Sequence, residues 1–214
     1  MNNIIRQPFR YQNTGIVYWL IGINVLIFAA MQFLGRNFWV FSAEHLSMRP
    51  FRVLRDKWLW TFVTYMFIHY DFRHILFNML GLFIFGLHVE RQMGSREFLL
   101  YYLLTGTLAG IFSFFIYNFT HNYYTALMGA SGALFAVELA YAVFFPDSII
   151  YIWGILPLRA PVMVLGFTAL ELFFSITGRQ SNVAHLTHLA GFAFGWFYFL
   201  IRFGVNPWKR LTGR

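Results

Sequence analysis

The chain has 214 residues, 59% of them hydrophobic and 11% charged, with mean hydropathy +0.58 and a net charge of +8. So little charge does not cover the surface of a soluble domain this large, which makes the bilayer the expected solvent. The absence of cysteine excludes disulfides, thiolate metal sites and a cysteine nucleophile, and the positive balance fits cationic ends on membrane helices better than a nucleic-acid surface.

A hydrocarbon core of about 30 Å takes roughly 20 helical residues to cross. Residues 15–34 form the first uncharged run. Arg6 and Arg10 before it resemble the start of a signal peptide, but the run is long and lacks an A-x-A cleavage pattern, so it reads as a retained anchor. Residues 35–57 are polar and basic, and are expected to form a long, partly structured external loop. The apolar run 58–70 is followed too closely by Asp71 and Arg73 for a crossing of its own, and reads as an interfacial lead-in. The remaining spans are expected at 72–89, 98–117, 123–145, 160–177 and 183–201, with Glu138 in the fourth and Glu171 in the fifth.

Six spans make an all-α membrane protein with three parts: a short N-terminal segment 1–14, a six-helix domain 15–203 and a basic tail 204–214. Both termini then share one side. That side carries Arg6, Arg10, Arg91, Arg96, Arg159, Arg202, Lys209, Arg210 and Arg214, against Arg36, Arg49, Arg52, Arg55, Lys57, Arg73 and Arg179 on the other. The positive-inside rule therefore favours cytoplasmic termini in a multi-pass protein of the cell membrane.

Consecutive spans run in opposite directions, so the second, fourth and sixth all enter from outside. His74 with Asn78, Ser131, and His188 with His185 lie near the starts of those three spans, and the odd spans hold no histidine. Parity alone thus brings two imidazoles, a hydroxyl and an amide to one depth near the outer face. Polar groups within spans are costly and usually functional.

Gly129-Ala130-Ser131-Gly132 falls where a loop meets a helix. Glycine permits close backbone approach there, and the helix start offers free amides to a developing oxyanion. Ser131 is a candidate nucleophile and His188 its base. Gly191 and Gly195 on the sixth span face a small-residue stripe of Gly132, Ala136 and Ala140 on the fourth, which allows the backbones to approach closely. Phe135, one turn after Ser131, is placed to touch the imidazole. His74 and Asn78, also one turn apart, are candidate oxyanion donors. No acid is expected beside the base, because none lies near the external ends of these spans, so a Ser–His dyad is the simplest arrangement. Glu138 and Glu171 are expected to be structural, His185 to line the cavity, and His69 to be structural or interfacial. No metal or cofactor is expected.

These residues resemble the rhomboid intramembrane serine proteases. Four pieces carry the resemblance, which spans about residues 58–196: His69-Tyr70-Asp71-Phe72-Arg73-His74-Ile75-Leu76-Phe77-Asn78, Glu90-Arg91-Gln92-Met93-Gly94-Ser95, Gly129-Ala130-Ser131-Gly132 and Ala184-His185-Leu186-Thr187-His188-Leu189-Ala190-Gly191. A GxSG turn alone is weak evidence, since soluble hydrolases use it too. All four in order are specific.

The resemblance implies a six-helix rhomboid-like bundle with Ser131 as nucleophile and His188 as base. His74 and Asn78 would complete the oxyanion hole, Gly129 would belong to the nucleophile loop, and Phe135 would stand where a stacking aromatic is often Tyr. Glu90 and Arg91 would form an inner-end polar pair, and the substrates would be single-pass transmembrane proteins cut near the external face. The Trp-Arg dipeptide usual in the family's external loop is not found. The fifth span and residues 178–182 are expected to be the mobile part. The competing readings are a relative that binds membrane clients without cutting them, and a metal or proton transporter.

Overall fold

The computed structural model describes residues 9–152, 154–177 and 182–213. The expected mobile segment 178–182 therefore falls almost wholly outside the described residues. Five helical stretches among those described are long and apolar enough to cross a membrane: Ile16–Phe33, Phe72–Met93, Ser95–Phe119, Ala160–Thr177 and Ala184–Phe203. Side chains such as Phe33 and Ile201, 86% and 83% exposed, cover their outer faces. Apolar surface of that extent needs lipid.

Helix α1 (Ile16–Phe33) is followed outside the first span by α2 (Arg36–Leu46) and α3 (Pro50–Asp56), so the long loop is largely helical. Arg52 knits it together, pairing with Glu44 and, at 2.8 Å, with Asp56, while its guanidinium lies 4.7 Å over Trp58. An Arg–Trp contact is thus present although the dipeptide is not. The Arg52 hydrogen bond holds the Glu44 carboxyl below its ordinary range. The lead-in forms α4 (Thr61–Thr64) and a 3₁₀ turn at Tyr65–Phe67.

The second span runs through α5 (Phe72–Gly81), a π-helical turn at Leu82–Gly86 and α6 (Leu87–Met93). Asp71 caps its start by accepting from the His74 amide at 2.8 Å. Helix α7 (Ser95–Phe119) is the longest α-helix among the described residues. Two buried tyrosines brace it: Tyr101 donates to the Ala136 carbonyl at 2.6 Å, and its own Gly106 carbonyl accepts from Tyr65 at 2.7 Å. Bonding these hydroxyls to helix carbonyls removes the penalty of burying them.

The fourth span departs from expectation. Rather than a helix over 123–145, only α8 (Ser131–Phe144) forms. Two features keep the preceding residues out of the helix. Leu127 is held extended by a reciprocal bridge to Met48, at 3.1 and 2.9 Å, and Gly129 takes φ +109°, closed to L side chains. At 1.5 Å per residue, α8 is about 21 Å long, roughly 9 Å short of a bilayer core. It is therefore shorter than α7 and α9 on either side of it in the chain, and its first residue is reached by a loop rather than by further helix.

A hairpin of β1 (Ile149–Ile152) and β2 (Leu156–Arg159), turned at Gly154 with φ +72°, joins α8 to α9 (Ala160–Thr177). The isoleucine-rich run Ile149-Ile150-Tyr151-Ile152 ahead of that glycine is its sequence signal. Helix α10 (Asn182–Tyr198) continues into a π-helical turn at Phe199–Phe203, and α11 (Pro207–Leu211) ends the chain. Most of α10 packs between α7 and α8. Among the described glycines Gly191 has the tightest surroundings: a Cβ there would fall inside the Gly132 carbonyl. At Gly195 an added Cβ would lie 2.6 Å from the Tyr101 hydroxyl and 3.0 Å from the Ala136 Cβ.

The end of the bundle away from Ser131 is fastened by two buried glutamates. Glu97 accepts from Tyr198 and from both Arg202 Nε (2.9 Å) and Nη2 (3.2 Å). Glu90 caps α1, accepting from the Ile16 and Val17 amides at 2.7 and 3.1 Å and from Ser95. The expected Glu90–Arg91 pair does not form. Arg91 is exposed, and its backbone carbonyl accepts from the Tyr11 hydroxyl at 3.0 Å. Replacing Glu90 with alanine orphans those donors and is expected to cost about 3 kcal/mol, at 1–3 kcal/mol for each unsatisfied group. Thermal unfolding in detergent will measure it.

Candidate functional site

Ser131 is the first residue of α8, behind Ala130 at the N-cap. Its hydroxyl lies 2.7 Å from His188 Nε2, a contact between α8 and α10. The Gly132–Gly191 backbone contact one residue beyond the serine is what lets the two side chains meet. Thr187 on α10 bonds Ser113 of α7 at 2.6 Å, fixing the rotation of α10 beside the imidazole. The His188 ring stacks on Phe135, with centroids 4.7 Å apart and planes within 5°.

Gly129 and His74 meet on the opposite side of the serine. The Gly129 amide donates to the Tyr65 carbonyl at 2.9 Å, and a Cβ on Gly129 would overlap the His74 ring at Nε2 and Cε1. The imidazole of α5 thus sets its Nε2–Cε1 edge against the backbone that leads into Ser131. Asn78 is buried one turn below and donates to the His74 carbonyl at 2.8 Å. That bond employs one of its two amide hydrogens and leaves the other.

His69 is fully buried, with its ring edge-on to His74 at 4.9 Å and no protein partner for either nitrogen among the described residues. Burial, with His74 alongside, pushes its pKa down to about 3, so it is neutral. Glu138 is buried seven residues beyond Ser131, and its Oε2 has no partner among the described residues.

One expectation is overturned. No acid was expected near His188, yet Glu171 Oε2 lies 3.1 Å from His188 Nδ1 and 2.5 Å from His185 Nδ1. The depth was legible. Glu171 sits six residues from the C-terminal end of α9 (177 − 171), and His188 six residues from the first described residue of α10 (188 − 182), at the ends where the two helices adjoin. The reading considered only the even spans and so passed over a carboxylate supplied by an odd one. The donor atoms of Glu171, His185 and His188 lie within 4.8 Å of one another, a set able to ligate a metal ion.

The fold and this constellation define a polytopic helical membrane protein with a serine–imidazole pair at the head of a short internal helix. Residues 56–205 match the Rhomboid domain. The chain is 29% identical to the mitochondrial RHOMBOID-like protein 12 of Arabidopsis thaliana, over 86% of this chain and 60% of that protein. It is 30% identical to Rhomboid protease GlpG of Haemophilus influenzae, over 85% and 88% of the two chains. Putative rhomboid protease YdcA of Bacillus subtilis is 29% identical over 71% and 69%. The chain belongs to the rhomboid family, which includes named proteases as well as organellar rhomboid-like proteins.

Proposed function

We propose that this protein is an intramembrane serine endopeptidase in which Ser131 is the nucleophile and His188 the general base. The observation that carries the reading is the 2.7 Å contact between Ser131 Oγ and His188 Nε2, made by two separate helices. As Oγ bonds to the scissile carbonyl carbon, the hydroxyl proton passes to His188 Nε2 and the carbonyl π electrons move to oxygen. The imidazolium then gives that proton to the leaving amine as the C–N bond breaks, and water repeats the sequence to release the acyl group.

The oxyanion falls to the Ser131 amide at the positive end of α8, to His74 and to the remaining hydrogen of Asn78. The substrates are single-pass transmembrane proteins cut near the external face. Within a helix the scissile carbonyl is engaged in the i→i−4 ladder, so the substrate must unwind locally before attack. The submerged start of α8 suits a cut below the membrane surface. Both termini lie in the cytoplasm by the charge distribution of the loops.

The test is cleavage of a model single-span substrate by the purified protein. His74→Ala and Asn78→Ala are each expected to lower kcat by about 10²–10³-fold, the usual loss for one oxyanion donor, with KM little changed. Unchanged kcat in both variants would remove these residues from the oxyanion hole. A client binder that does not cleave has no need of the Ser131–His188 contact.

A further inference from the structure

We infer that Glu171 is a positioning residue for His188: its carboxylate fixes the tautomer and orientation in which Nε2 faces Ser131. This rests on the proteolytic reading above. A neutral imidazole accepts the serine proton at Nε2 only if its own proton is on Nδ1. Stacking on Phe135 fixes the plane of the ring but is indifferent to which nitrogen carries the proton. Only a group facing Nδ1 makes that choice, and among the described residues the acceptor within reach is Glu171 Oε2, at 3.1 Å.

The alignment falls short of a regular hydrogen bond in this state. Catalytic hydrogen bonds are often long before substrate arrives and tighten in the complex. Three features show that the carboxylate is placed rather than passing. Its depth on α9 equals that of His188 on α10, and it is only 17% exposed. His185, 9% exposed on the same helix as the base, holds the same oxygen at 2.5 Å. Phe174, one turn further along α9, lies against the His185 ring at 5.6 Å. One carboxylate therefore faces both imidazoles. When Ser131 gives up its proton, the positive charge that develops on His188 faces that carboxylate. Because Glu171 comes from α9, the base is complete only while α9 is packed on α10.

The experiment compares the full-length wild type with Glu171→Gln, Glu171→Asp and Ser131→Ala, measuring kcat and KM on a fluorogenic single-span substrate in detergent. The ¹⁵N resonances of His188 report its tautomer. Loss of the orienting acid in a soluble triad costs about 10⁴-fold, and the looser contact here sets a smaller expectation. In Glu171→Gln kcat should fall by about 10–10²-fold with KM within about twofold, the pattern of a group acting in the transition state. The His188 resonances should move away from the Nδ1–H form, and Glu171→Asp should recover part of kcat.

Wild-type kcat and an unchanged tautomer in Glu171→Gln, with Ser131→Ala inactive, would overturn the positioning role and leave the protease reading intact. A Ser131→Ala variant as active as the wild type would overturn both. Loss of wild-type activity to a chelator, restored by zinc, would instead make Glu171, His185 and His188 a metal-ligand set and overturn the inference.

Discussion

Replacing Ser131 with alanine is expected to reduce cleavage of a transmembrane substrate to background, a fall of about 10⁴–10⁶-fold in kcat, and His188→Ala should do the same. The two act as one unit: the serine is a poor nucleophile until its proton has somewhere to go, and the imidazole deprotonates water in the second half of the reaction only after the serine has been acylated. The double variant should therefore be no worse than either single one. Additive losses would mean that the two side chains serve separate steps, against the 2.7 Å contact between them. Both substitutions remove atoms at a partly exposed site, so thermal unfolding should change little and the loss can be assigned to chemistry. Measurements of kcat on the three variants, with unfolding midpoints alongside, check this.

The second large effect is expected at a position that carries no chemistry. Gly191→Leu, and to a lesser degree Gly191→Ala, should cost both stability and activity. Even the first added carbon would fall inside the Gly132 carbonyl, and because that neighbour is backbone, no side-chain rotation can relieve the overlap. Helices α8 and α10 must separate, and the seam that gives way lies one residue from Ser131 and three from His188. Overpacking of this kind costs about 1–3 kcal/mol. A shift of about 1 Å at the reacting groups costs about 10²-fold in rate. Gly22→Leu is the matched control, since nothing lies within 4 Å of a Cβ built there and α1 faces lipid at that point. It should stay within about 0.5 kcal/mol of the wild type. Equal unfolding temperatures and rates for Gly191→Leu and the control would contradict the close-packed seam.

The parts of the fold that were legible in the sequence were those governed by bilayer thickness. An apolar run between basic flanks, here Arg159 and Arg179, has few places to begin and end, so the expected fifth span, 160–177, matches α9 (Ala160–Thr177) even with Glu171 inside it. The fourth span was misjudged because hydropathy over 123–145 records apolar character rather than conformation. Gly129 and the Met48–Leu127 bridge decide the helix start, and the second of these is a contact between residues 79 positions apart (127 − 48). Hydropathy has no access to such pairings. The β hairpin was missed for a related reason: two largely exposed four-residue strands leave little mark beside long apolar helices.

At the site, chain direction was enough to put Ser131, His188 and His74 at one depth, because alternation of helices is a strict rule. Which faces meet depended on the glycines, and Gly132 and Gly191 could be read for that purpose. Glu171 shows the limit of the approach. An acid in an apolar span is visible in the sequence, but its partners depend on the rotation of α9, which no residue pattern in that helix announces. Glu90 is similar: the family resemblance implied a polar pair with Arg91, whereas its carboxylate is taken up by the unfilled amides at the start of α1.

The most direct test of a serine made nucleophilic by a neighbouring histidine below the membrane surface is covalent labelling read by mass spectrometry. Incubated with a fluorophosphonate in detergent, the wild-type protein should carry one adduct, on the peptide containing Ser131, and the His188→Ala protein should carry none. An unlabelled Ser131 in protein that still cleaves its substrate, or equal labelling with and without His188, would contradict the account.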